Sequence, residues 1–179
     1  MSLINPLDIK EEDLPLIVLA DNLRSFIAWG IRKHTKGQYV HIMSMHRTGF
    51  FASQGWMYKE VPIRTYMEKG YRLKFWKCKN LTTEAREEWL NMIETELKAP
   101  WWERKYDIGG IFGQLIFLRF INNPFTRYCS ERVAPKIRKF FRIVLRKHPS
   151  PSDCNKALTT SPDKAEVLGH YFWDYTRKQ

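Results

Sequence analysis

The chain has 179 residues, 44% hydrophobic and 15% aromatic, which is enough for one domain with a real core and argues against disorder. Its 30 Lys and Arg against 19 Asp and Glu give a formal charge of +11, which points to an anionic partner or surface without separating nucleic acid, phospholipid and cell-wall polymer. Cys78, Cys129 and Cys154 are too few and too scattered for a disulfide framework or a zinc site, and five scattered histidines carry no metal signal, so neither metal nor cofactor is expected.

Residues 1–14 are acidic and lack an apolar run of signal-peptide length, and the longest mainly apolar stretch, Ile108 to Leu118, is too short to cross a bilayer. The expected setting is therefore cytoplasmic, with no transmembrane segment.

In chain order, Leu14 to Ala20 is a short apolar run that reads as a buried strand, and Asp21 or Asn22 can cap a helix reaching about His34. Tyr39 to Met45 and Phe50 to Met57 read as a hairpin turning at His46-Arg47-Thr48-Gly49. If Arg47 and Thr48 form its loop, His41 pairs with Gln54; a one-residue change would move the partner to Ser53 or Gly55. Val61 to Met67 suits a short helical turn, and Tyr71 to Cys78 alternates as a half-exposed strand does. Thr82 or Thr83 caps a helix whose Trp89, Leu90, Ile93 and Leu97 recur at helical spacing, with Pro100 closing it.

A further helix opens around Cys129, with Thr126 as its cap, and Pro135 should kink it or end and restart it. The continuation has Ile137, Phe140, Phe141, Val144 and Leu145 on one face and Lys136, Arg138, Lys139, Arg142, Arg146 and Lys147 elsewhere. It reads as a basic amphipathic helix, either packed on the core with a solvated face or touching an anionic surface. From His148 the chain is expected to be loop-like up to Ala165. These readings give one α+β domain over residues 1–179, with its core at about 14–162 and a tail at 163–179.

Cysteine in the first turn of a helix meets unpaired N–H groups and the positive end of the dipole, which lower a thiol pKa and make a nucleophile. A free cysteine is nevertheless most often a packing residue, so a partner is needed. Thiol hydrolysis requires an imidazole to exchange protons and a polar group to hold its tautomer. His41 on one strand and Gln54 on the next supply those types, whereas His46 in the turn and His34 at a helix end need no function.

The order of histidine strand, polar second strand, Tyr-Asp segment and Tyr128-Cys129-Ser130-Glu131 helix resembles the circularly permuted branch of the NlpC-type papain-like cysteine peptidases and amidases, including the YiiX-like group. The likeness covers about Leu14 to Pro162. It rests most on Val40-His41-Ile42 and the Cys129 tetrapeptide, less on Lys105-Tyr106-Asp107 and least on Pro151-Ser152-Asp153. It implies a papain-like fold, a small antiparallel sheet packed on the helix that carries the nucleophile. It further implies amide cleavage through a thioester acyl-enzyme, with Cys129 as nucleophile and His41 as base and then acid. Gln54 falls near the third polar position, often a carboxylate in the permuted group, and Tyr106 and Tyr128 fall beside the substrate. The implied substrate is a peptide or peptidoglycan stem peptide; a wall-active role would need release by lysis or carriage by a phage particle. Two alternatives stand beside it. One is a lipid-directed acyltransferase or thioesterase of the same fold acting on a lipid amide or ester, and the other is a non-catalytic basic module binding an anion. The sequence holds no zinc-finger, helix-turn-helix or ribonucleoprotein motif that would favour nucleic acid.

Overall fold

The computed structural model describes residues 2–22, 28, 29, 32, 33, 37–105 and 129–172. The apolar run near the N-terminus forms β1 (Leu16–Asp21), buried along its whole length, as a strand covered on both faces must be. It is a middle strand of a six-stranded sheet in which every neighbouring pair is antiparallel. The other strands are β2 (His41–Arg47), β3 (Phe50–Gln54), β4 (Tyr58–Pro62), β5 (Arg72–Cys78) and β6 (Ala165–Tyr171). Their order across the sheet is β4-β3-β2-β1-β5-β6. The fold is thus mixed α and β, with an antiparallel sheet and a few helices.

Alternation along β1 divides the core in two. Ile17 and Leu19 join Ile42, Ala52 and Trp76 on one face of the sheet. This face is covered by α2 (Thr83–Lys98), α4 (Cys129–Phe140) and α5 (Pro151–Thr159), which contribute Trp89, Ile93, Cys129, Val133, Ile137 and Cys154. Leu16, Val18 and Ala20 face the other way, with Met43, Met45, Phe51 and Phe75. There Ile63 and Tyr66 of α1 (Ile63–Glu68) close the layer. Trp89 of α2 stacks on Phe140 of α4 at 5.1 Å and meets Phe141 edge-on at 5.7 Å, so the two helices are pinned by aromatic contacts. Thr82 caps α2 as expected, its side chain accepting from the Ala85 N–H at 3.2 Å.

Several expectations are corrected. Asp21 ends β1, buried and ion-paired to Arg32 at 2.6 Å, and the start of the helix that it or Asn22 was expected to cap lies outside the described residues. The expected second hairpin strand stops at Gln54 and the chain turns back to form β4. Residues 151–159 form α5 rather than a loop, because Ser150 and Asp153 make a reciprocal capping box and Pro151 occupies the first turn. The expected tail supplies β6, paired along β5 from Cys78 to Leu73. At Gly169 in that strand an added Cβ would lie 2.5 Å from Ile4 Cγ2, so the N-terminal segment packs where a side chain would stand.

The expected basic amphipathic helix also differs. α4 runs unbroken through Pro135 and ends at Phe140, and Arg142 takes a left-handed φ of 53° that helical backbone does not allow. A proline inside a helix costs about 3 kcal/mol, and the buried face of α4 offsets it. Lys136, assigned to the anion-binding face, is fully buried, bonded to Glu96 at 2.6 Å and to the Arg132 carbonyl at 2.8 Å. Lys139 pairs with Glu88, Arg146 pairs with Asp153 at 2.5 Å, and Arg138 donates to the Arg146 carbonyl at 2.7 Å. The six cations therefore do not form one open basic face. Among the described residues no helix is long and apolar enough to cross a membrane.

Candidate active site

Among the described residues α4 begins at Cys129, whose thiol is docked against the beginning of β2. The backbone N–H groups of Ile42, Ser130 and Cys129 itself each act on the Cys129 thiol so as to lower its pKa. These three donors favour the thiolate, as the helix terminus should. Burial nevertheless outweighs them and pushes the thiol up to about 11, with the Glu131 charge adding in the same direction. The expected lowered pKa is thereby corrected. At 6% exposure the sulfur loses more hydration than three amides return.

His41 opens β2 and is half-buried at its surface while closely surrounded by protein. Its Nε2 lies 2.9 Å from Ser53 Oγ on β3, and Ser53 Oγ lies 2.6 Å from the Tyr66 hydroxyl on α1. The Tyr66 ring also lies parallel to the imidazole, 6.3 Å between centroids. Burial pushes His41 down to about 4. Tyr66 is held well above the usual phenol range, chiefly by burial, and the charge of Cys129 is among the smaller causes. The imidazole, hydroxyl and phenol thus form one polar chain on the face of the sheet that carries Ala20 and Met43, while Cys129 lies on the Ile42 face and its charge reaches the Tyr66 phenol.

Gln54 does not orient His41. Its Nε2 donates to the Arg104 carbonyl at 3.0 Å, and its Oε1 accepts from Arg132 Nε at 3.1 Å. The reason is a bulge at His46. Ser44 pairs with Ala52 and Met45 with Phe51, yet Arg47 pairs with Phe50. The extra residue slips the register by one and exchanges the faces, so Ser53 comes opposite Met43 and diagonal to His41. His46 is buried at this bulge rather than sitting in the turn, with Nε2 2.6 Å from Glu60.

The structure therefore brings Cys129 and His41 to the same end of β2 and replaces Gln54 with Ser53. No hydrogen bond joins the thiol to the imidazole among the described residues. Tyr106, Tyr128, His34 and the Thr126 cap lie outside those residues. Sequence reasoning missed Tyr66, which offered only an ordinary position in a short helix; Ser53 was, with Gly55, one of the two partners that a one-residue change in the hairpin loop would give. Among the described residues no cluster of three or more His, Cys, Asp or Glu could hold a metal.

Gln54 has a structural task instead. With Arg132, which also donates to the Glu103 carbonyl and lies 4.9 Å over the Tyr58 ring, it ties the start of α4 to β4 and to α3 (Trp101–Arg104). No protein-family model matches the sequence, and no curated protein matches it either.

Proposed function

We propose that the protein is a cysteine hydrolase of the permuted papain-like kind that cleaves an amide bond, in a peptide or a peptidoglycan stem peptide, through a thioester acyl-enzyme. The observation that carries this reading is the placement of Cys129 in α4 against the beginning of β2, where the N–H of Ile42, the residue after His41, acts on its thiol so as to favour the thiolate. The second support is the polar chain from His41 through Ser53 to Tyr66, which fixes an imidazole that would otherwise turn freely.

In this reading His41 Nε2–H donates to Ser53 Oγ, which leaves Nδ1 as the base. The carbon–sulfur bond forms as the thiol proton passes to Nδ1, and the substrate carbonyl takes negative charge opposite backbone N–H groups such as that of Cys129. Collapse expels the amine, which receives the proton from His41, and water activated by His41 then hydrolyses the thioester. Because the resting thiol and imidazole are both neutral, proton transfer accompanies attack instead of preceding it.

The test uses an activated ester, p-nitrophenyl acetate, with the acetylated peptide located by mass spectrometry. Acetylation is expected at Cys129, absent in Cys129→Ala and slowed by about a hundredfold or more in His41→Ala. Equal labelling of Cys78 and Cys154, or an unchanged rate in His41→Ala, would overturn the proposal.

A further inference from the structure

Large aromatic side chains left in water mark a contact surface when they share one region. Trp56, Trp101 and Trp102 are 79%, 51% and 54% exposed. They belong to one end of the sheet. Met57, next to Trp56, makes an antiparallel bridge with Lys105, and Gln54 holds the Arg104 carbonyl at 3.0 Å. Trp101 and Trp102 meet edge-on at 5.9 Å, and the Lys105 ammonium lies 3.9 Å over the Trp101 ring. The buried Arg132 anchors the same turn through the Glu103 carbonyl, so the tryptophans project from a held scaffold.

We infer that this end of the molecule, Trp56, Trp101 and Trp102 with Lys105, docks on an anionic phospholipid surface. Tryptophan suits such an occupant because its ring settles at the boundary between headgroups and acyl chains, with an apolar body and a polar N–H. Charge selects anionic lipid. The chain carries +11, and Lys59, Arg104 and Lys105 outnumber Glu103 around the patch. Glu103 is exposed and opposes contact, which limits the attachment to a reversible one. A nucleic acid would also meet cations and aromatic rings, but it would stack on open ring faces, and Lys105 covers a face of Trp101. The inference is independent of the thiol chemistry.

The experiment is sedimentation of the full chain with sucrose-loaded vesicles of phosphatidylcholine, with and without phosphatidylglycerol. Binding is expected to require phosphatidylglycerol and to weaken with salt. It should fall by about tenfold or more in the Trp101→Ala/Trp102→Ala variant and by about fivefold in Lys105→Ala. Bromine-labelled acyl chains should quench the tryptophan emission of the unaltered protein, a readout that does not depend on any variant folding. Cys129→Ala should bind as the unaltered protein does, which separates failure of docking from failure of catalysis. The inference is overturned if phosphatidylglycerol vesicles do not bind the chain, or if binding persists unquenched and unchanged in the tryptophan variant. It is also overturned if the tryptophan substitutions instead abolish self-association or binding to nucleic acid.

Discussion

His41 and Cys129 differ from a preformed ion pair in a way that the pH dependence of the rate should reveal. Burial moves the imidazole down to about 4 and the thiol up to about 11, so the neutral form of each spans a wide interval. On the proposed mechanism, kcat/KM for p-nitrophenyl acetate should stay level through neutrality, falling on the acid side only as pH approaches 4; a limb centred near 6.5 would show that His41 is not the base. Alkylation of resting Cys129 by iodoacetamide should likewise be slow at neutral pH. Ser53 and Tyr66 act through His41 and are positioning residues. Ser53→Ala should lower kcat by about tenfold to a hundredfold with KM little changed, and Ser53→Thr should restore most of it, since only the hydroxyl is required. Loss of kcat in both variants alike would make Ser53 a packing residue.

At the scale of elements, the placement of Cys129 depends on how α4 is tied to its neighbours. Lys136 is fully buried and bonded to Glu96 of α2, and the Glu96 charge also acts on the Tyr58 phenol of β4. Removing one partner leaves a buried charge without its main counterion. Glu96→Ala is therefore expected to lower unfolding free energy by about 3–5 kcal/mol in urea titrations, while Lys136→Met with Glu96→Leu should be close to neutral. If Glu96→Ala costs less than about 1 kcal/mol, the pair does not hold the helix. This pair also shows what a sequence conceals. β1, β5 and the Thr82 cap were legible because each signal is local: a continuous apolar run, an alternation, a threonine before a helical pattern. That His41 lies on a strand and Cys129 on a helix was legible from the patterns around them. Lys136 looked like one more surface cation because its partner is 40 residues away. The hydrophobic pattern favours Gln54 over Ser53 because the bulge at His46 leaves no mark in it, yet the bulge exchanges the faces of every residue beyond it. The capping box at Ser150 and Asp153 was present in the sequence and went unread beneath the prolines around it.

For the whole molecule these buried groups combine into one stability profile. Below pH 6.5 an unfolded chain protonates His41 while the folded one holds it neutral to about 4, so the unfolded state binds more protons and stability falls as pH drops through that window. His46 and His170 are lowered too, chiefly by burial, and act in the same direction. Asp153, held low mainly by its bonds to Ser150 and by Arg146 against the opposing effect of burial, contributes stability that is lost only below about 3.8. On the alkaline side Cys78 and Cys129 are raised to about 11 and Cys154 to about 12, all chiefly by burial. Above pH 9 the unfolded thiols ionise while the folded ones do not, and stability falls again. Urea midpoints should therefore form a plateau between about pH 6.5 and 9 with a descent on each side. His41 alone should contribute at most about 3 kcal/mol of the acid descent. In His41→Gln, which cannot charge, the loss between pH 6.5 and 4 should shrink by a large part of that amount. The same descent in the variant and the unaltered protein would mean that the imidazole is charged and solvated in the folded state, and would remove the neutral pair on which the concerted proton transfer depends.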